Sequence, residues 1–133
     1  MALRSLIRVT NLRLRTFIGF NDEEREKKQD VVVNMRIAYD AAKASASDSV
    51  ENALDYKKIT KRVIGHVEEN RFLLLEKLSA DILDIAMAEP ATQGAWVEVD
   101  KPHALRFADS VSMVQMVQRD DSDPSLTRLL LNS

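Results

Sequence analysis

Residues 5–18 alternate between apolar and polar character. Leu6, Leu12, Leu14 and Ile18 fall on one parity, and Asn11, Arg13 and Arg15 on the other, which predicts a long strand. Gly19 and the charged run 21–28 interrupt it as a turn or loop. A second long strand is predicted over 30–39, where Val31, Val33, Met35, Ile37 and Tyr39 point one way and Asn34 and Arg36 the other. Two such strands joined by a loop form an antiparallel hairpin with one dry and one wet face.

The period then changes. Residues 41–49 are rich in Ala, Ser and Asp and read as a connector. Asp55 is placed to cap a helix starting near Tyr56, in which Ile59, Val63 and Val67 recur at helical spacing. Residues 68–70 close that helix. A second is predicted from about Arg71, with Leu75, Leu78, Ile82 and Ile85 as its apolar stripe and Pro90 and Gly94 bounding its far end. Short strands follow over 95–100 and 110–118, the latter with Val111, Met113 and Val117 on one parity.

The order strand, strand, helix, helix, strand, strand predicts an α+β domain over 1–119. Its four-stranded antiparallel sheet would carry two helices on one face. Residues 120–133 are polar and then briefly apolar, the pattern of a tail that is mobile or docks only at its end. An open sheet with long outer strands leaves unpaired edges, and pairing them between subunits into a larger barrel is one remedy. The polar parity (Asn11, Arg13, Arg15, Asn34, Arg36, Glu98, Ser112) then faces a hydrated barrel interior; simple solvent exposure fits the pattern equally well.

Composition narrows the chemistry. The 133 residues suffice for one compact domain with a modest core. A formal net charge of −2 draws the chain neither to nucleic acid nor to an anionic membrane. No cysteine is present, so disulfides, thiolate metal sites and a cysteine nucleophile are excluded. No glycine-rich phosphate loop and no histidine pair at metal-ligand spacing occur, so no metal is expected. The N-terminal residues mix arginines with apolar side chains and no long apolar run follows, so neither a signal peptide nor a membrane span is expected and a cytoplasmic location is the default.

The segment 96–109, WVEVDKPHALRFAD, carries the most chemical information. It reads as a strand ending at Lys101, with Pro102, His103 and Arg106 just beyond. Rigid backbone there presents an amine to whatever lies past the sheet. A lysine that transfers protons at neutral pH needs a lowered pKa, which partial burial or a neighbouring cation supplies. His66 lies mid-helix with no evident partner and reads as structural, and Trp96 and Phe72 read as core.

Three pieces in this order and spacing resemble the dihydroneopterin aldolase family of the tunnelling fold: LRLRTFIGFNDEEREKKQDVVVNM, ALDYKKITKRVIGHVEENRFLLLEKLS and VEVDKPHALRFADSVSM. Together they run from about Ile7 to Met116. His103, Leu105 and Arg106 stand where ordinary aldolases tend to have smaller residues. They lean the chain toward the branch that epimerises dihydroneopterin triphosphate at carbon 2' of its side chain. The resemblance implies retro-aldol cleavage between the first two side-chain carbons, with the reduced ring as electron sink, so no cofactor is needed. Re-addition of the bound aldehyde inverts carbon 2'; its release gives aldolase chemistry, the alternative outcome. A non-catalytic pterin-binding oligomer is the alternative from another class.

Residue by residue, the resemblance implies that Lys101 moves the hydroxyl proton and that Tyr56 hydrogen-bonds an oxyanion and can protonate the enamine carbon. Glu24, in an acidic run that also holds Glu23, would reach the side-chain hydroxyls from an adjacent subunit. Glu76 would accept two parallel N–H groups of the pterin in a fork, with Leu54 and Leu75 also in the binding site. Arg71, His103 and Arg106 are candidates for phosphate contacts; capping of the first helix is the competing role for Arg71. The implied assembly is a homo-octamer of two stacked tetramer rings with sites between subunits.

Overall fold

A computed structural model describes residues 1–132. Strands β1 (Arg4–Ile18) and β2 (Gln29–Asp40) pair antiparallel, joined through a short helix α1 (Asp22–Glu26). Helix α2 (Ala42–Ser47) and a 3-10 turn (Val50–Asn52) lead into helix α3 (Tyr56–Glu69). A two-residue strand β3 (Arg71–Phe72) precedes helix α4 (Leu75–Met87). Strands β4 (Thr92–Lys101) and β5 (Val111–Gln118) complete the sheet, and helix α5 (Pro124–Leu131) ends the described chain. Among the described residues no helix is long and apolar enough to cross a membrane.

The sheet has five strands in the order β3-β1-β2-β4-β5, one more than the expected four. The extra one, β3, is parallel to β1 through Phe17↔Arg71 and Ile18↔Phe72. Its two residues are too few to show a period, which is why the second helix was expected from Arg71 rather than from Leu75. The supposed connector at 41–49 likewise contains α2, a helix with no buried residue and hence no apolar stripe.

One face of the sheet packs against α3 and α4. Val31, Val33, Ile37, Val97 and Val99 are fully buried there, meeting Val63 and Val67 of α3 and Leu78 and Ile82 of α4. Asp55 caps α3 by accepting from the Lys58 N–H at 3.0 Å. Thr16 Oγ1 donates to the Val67 carbonyl at 2.6 Å, tying β1 to the end of α3. His66 is not partnerless: its Nε2 lies 2.7 Å from Asp81 Oδ2, which links α3 to α4 across 15 residues that sequence spacing does not connect. Burial alone would raise the Asp81 carboxyl; the hydrogen bonds from Lys77 and His66, with their charges, hold it below its ordinary value.

β1 changes face in mid-strand. Its register with β2 runs Ile7↔Ile37 and Val9↔Met35, then resumes at Leu12↔Val33, so one extra residue is inserted. Asn11 takes up the bulge at φ +54°, with its N–H donating to Asn34 Oδ1 at 2.8 Å. A single inserted residue flips every side chain before it. Ile7 and Val9 therefore join the core with Leu12 and Leu14. Leu6, expected on the Leu12 side, lies on the opposite face instead.

That opposite face carries α5. Leu126 and Leu130 are buried against Ala38 and Trp96, with Leu6 and Met116 beside them. Burying two leucines contributes about 1.5–3 kcal/mol each before ordering costs. Asp123 caps α5 by accepting from the Ser125 and Leu126 N–H groups and pairs with Arg4. Arg36 stacks on Trp96 with its guanidinium carbon 3.7 Å from the ring centroid, and donates to the Leu130 carbonyl at 2.7 Å. Gly94 leaves room for the helix, since a Cβ there would stand 2.9 Å from Leu130 Cδ1. The segment expected to be mobile or to dock only at its end thus holds a capped helix. Its apolar run of three leucines was too short to reveal a stripe.

Candidate active site

Lys101 is the last residue of β4 and is 8% exposed. Its Nζ donates to Glu24 Oε2 at 2.6 Å. Glu24 sits in α1, the short helix between β1 and β2; Asn21 caps it by accepting from the Glu24 N–H at 2.8 Å. Gln29, which sequence reasoning passed over, donates to the Ile18 carbonyl at 2.7 Å and to Glu24 Oε2 at 3.4 Å. It fixes the carboxylate from the β2 side.

Gly19 makes this arrangement possible. Its φ of +127° is a backbone conformation that side-chain-bearing residues rarely adopt. A Cβ there would lie 2.2–2.5 Å from the Glu24 carboxylate, so the acid occupies the space a side chain would fill. Burial alone would raise the Glu24 carboxyl. Hydrogen bonds from Lys101 and Gln29, the ammonium charge and the Asn21 cap outweigh it and hold the pKa below the ordinary carboxylate value.

Glu24 and Lys101 meet within one chain, so the expectation that this acid arrives from an adjacent subunit is corrected. The reason is geometric: the β1–β2 turn folds back over the end of β4, since Val32 pairs with both Arg13 and Asp100.

The Gly19 N–H donates to the Phe72 carbonyl at 2.9 Å. This brings the residues after β3 beside the ion pair. There Phe20, Leu73 and Leu74 are exposed and, with Phe72 and Lys77, line an open cavity of about 590 Å³. Glu76, one residue into α4, is exposed and has no hydrogen-bond or ion partner among the described residues. Leu75, half-buried, starts the helix and packs on the core. An apolar cavity, with a free carboxylate two residues past its Leu74 in sequence, suits a heterocycle with paired N–H groups.

Arg71 does not cap α3. Its guanidinium lies over Phe17 at 3.7 Å and donates to the Arg25 carbonyl at 2.9 Å. His103 lines a second cavity of about 350 Å³ with Glu23 and Glu24. Arg106 lies over the exposed Phe107 ring at 5.5 Å, away from that lining. Phe72 is in the core, 4% exposed, and Trp96 is in the apolar cluster under α5.

Tyr56 stands apart. It starts α3, is 47% exposed, and its phenol has no hydrogen-bond partner among the described residues. Its open cavity of about 660 Å³ is lined by Ile7, Arg8 and Val9 of β1. Leu54, just before it, is buried in the core. Val9 aligns through Met35 with Val97, four residues short of Lys101 and two strands away. At about 3.3 Å per residue and 4.8 Å per strand, Val9, which shares the Tyr56 cavity, is roughly 16 Å from Lys101. One chain therefore builds an acid–lysine pair beside an apolar wall, and separately a tyrosine-bearing surface that this pair cannot reach.

These features define an α+β protein of the tunnelling fold, with α3 and α4 covering one face of a curled sheet and polar chemistry at one strand end. The family described as FolB, dihydroneopterin aldolase, matches residues 7–115, and the chain belongs to that family. It is 59% identical to the dihydroneopterin triphosphate 2'-epimerase of Pseudomonas aeruginosa, over 80% of this chain and 87% of the relative. It is 54% identical to the enzyme of the same name from Escherichia coli K12, over 86% and 96%. Among solved structures it resembles Escherichia coli dihydroneopterin aldolase in complex with neopterin, with a TM-score of 0.80 and 28% identity over 85% of this chain and 98% of that one. Residues 116–132, including α5, lie beyond the family match.

Proposed function

We propose that the chain inverts carbon 2' of the dihydroneopterin triphosphate side chain by retro-aldol cleavage and re-addition. The observation that carries this reading is the Lys101–Glu24 pair, a sheltered ammonium 2.6 Å from a carboxylate. It is a proton donor–acceptor couple whose carboxylate packs against Gly19, the residue before Phe20 of the apolar cavity. The branch follows from the contrast within one organism: 54% identity to the Escherichia coli epimerase against 28% to its aldolase.

In this mechanism Glu76 accepts the paired N–H groups of the ring, while the Phe20, Leu73 and Leu74 wall holds its face. Lys101 first passes a proton to Glu24, its partner at 2.6 Å, and the freed amine, directly or through water, takes the proton of the 2'-hydroxyl. The bond between carbons 1' and 2' breaks, its electrons entering the ring as an enamine and carbon 2' leaving as an aldehyde. The aldehyde turns over, the enamine attacks its other face, and Lys101 returns the proton to the new alkoxide. Tyr56 of a neighbouring subunit supplies a hydrogen bond to the same oxygen. If it protonates the enamine carbon first, the cleaved 6-hydroxymethyl product results. The separation of Tyr56 from Lys101 within one chain supports a homo-oligomer, read as an octamer of two stacked tetramer rings in the cytoplasm.

The test is incubation of the purified protein with dihydroneopterin triphosphate and with dihydroneopterin, resolving epimers and cleavage products by chromatography. Epimer is expected as the main product of the triphosphate. Predominant 6-hydroxymethyl-7,8-dihydropterin with glycolaldehyde would assign the chain to aldolase chemistry. Tight pterin binding without turnover would leave only a binding oligomer.

A further inference from the structure

Resting on the reaction proposed above, we infer that the cavity lined by Lys27, Lys28 and His103 is the triphosphate subsite, and that it decides the product by tethering the cleaved fragment. The cavity opens beside Glu24 and measures about 350 Å³. Lys27 and Lys28 follow α1 directly, and His103 lies two residues past Lys101. All three are exposed, and none makes a side-chain hydrogen bond or ion pair among the described residues. Lys28 Nζ lies 5.9 Å from the Phe17 ring centroid, a contact that leaves its N–H groups without an acceptor. Ammonium groups without a carboxylate partner at the rim of a concavity are available to phosphate oxygens. Glu23 also lines the cavity and opposes an anion. Of the two lining carboxylates, Glu24 is already paired with Lys101, which leaves Lys27 and Lys28 against Glu23, so the balance favours negative charge.

Connectivity of the substrate points to the same place. Proton transfer at the 2'-hydroxyl puts carbon 2' against Lys101. The triphosphate hangs from carbon 3', one bond further on, so it must emerge next to the Glu24–Lys101 pair, on the side away from the pterin wall. The Lys27–His103 cavity borders Glu24 there. The Arg71 cavities lie toward Phe17, Phe72 and Leu73, and the Arg71 guanidinium is already stacked and hydrogen-bonded.

The location has a mechanistic consequence. When the bond between carbons 1' and 2' breaks, the departing two-carbon aldehyde carries the whole triphosphate. Charges that grip the phosphates keep the aldehyde within reach of the enamine while its carbonyl rotates to offer the other face. Re-addition then restores the carbon–carbon bond, and nothing is oxidised or reduced. Without that grip the fragment diffuses away and the enamine is protonated instead. The same subsite that selects the phosphorylated substrate thereby sets the ratio of inversion to release.

The test compares wild type with the double variant Lys27→Gln, Lys28→Gln, and with Arg71→Gln, on dihydroneopterin triphosphate and on dihydroneopterin. For the lysine variant, KM for the triphosphate is expected to rise about tenfold more than KM for dihydroneopterin, matching the loss of charge-assisted contacts. The fraction of triphosphate converted to the 6-hydroxymethyl product should rise with it. A mere folding defect would move both substrates alike and leave the product fraction unchanged. Unaltered KM and product fraction on the triphosphate would overturn the subsite while leaving the parent reaction intact. So would a product fraction that responds to Arg71→Gln but not to the lysine pair. A wild type that epimerises neither substrate would overturn the parent reaction and the subsite together.

Discussion

Glu24 and Tyr56 lie well apart on one chain, and the chain finishes their surroundings to very different degrees. Around Glu24 everything is supplied: the Lys101 ammonium, the Gln29 amide, the Asn21 cap and the void left by Gly19. Around Tyr56 little is supplied beyond an open apolar floor, and the phenol faces solvent. A side chain whose every contact is internal can be positioned by folding alone. One left bare at a helix start takes its geometry from whatever docks there. On the function proposed above, the contrast separates the part of the site that folding completes from the part that a neighbouring subunit would complete.

The sharpest way to break this comparison is to disable each part separately and then mix. Lys101→Met and Tyr56→Phe should each lower epimerisation about 100-fold or more, the scale of a lost general acid–base group. Circular dichroism should show both folded. Co-refolding the two inactive variants should recover activity, because some interfaces then pair an intact Lys101 with an intact Tyr56. Failure to recover would place both groups in one chain's site.

A smaller effect is expected from Gly19→Ala. The new methyl collides with the Glu24 carboxylate and the backbone is strained at φ +127°. Displacing the acid by about 1 Å should cost on the order of 100-fold in rate at most. The left-handed conformation adds about 1–2 kcal/mol of destabilisation. Turnover and thermal melting measure the two parts, and Glu24→Gln in the same background should add little further loss.

The smallest effect is one of pH on stability. The Glu24 carboxyl is depressed from an ordinary value near 4.5. Its contribution is therefore complete above pH 4.5 and is lost as pH falls through the lower folded value. Melting curves of wild type and Glu24→Gln should differ by about 1 kcal/mol or less at neutral pH and converge in acid below pH 4.5. A gap that widens in acid would reverse the assigned sign.

The long strands and both main helices were legible because each shows one period over many residues with few exceptions. Asp55 and Tyr56 marked the start of α3 by cap chemistry alone. What escaped was structure made by single residues or by distant partners. The bulge at Asn11 reverses parity without altering composition, so Leu6 was assigned to the wrong face. β3 is defined by its pairing with β1 and not by any pattern of its own. His66 and Asp81 are 15 residues apart on different helices, a relation that only packing creates. Lys101 stood out from its place at a strand end, and Glu24 from its distance to Gly19. That the two touch within one chain depends on the turn folding back, which no local pattern encodes.

Trp96 is the sole tryptophan of this chain, and its indole carries the Arg36 guanidinium and belongs to the apolar cluster that Leu126 and Leu130 of α5 complete. The protein thus carries its own fluorescent gauge of whether the C-terminal helix is seated. Lifting that helix would wet the ring and redden its emission, with no label attached and no other indole to blur the signal.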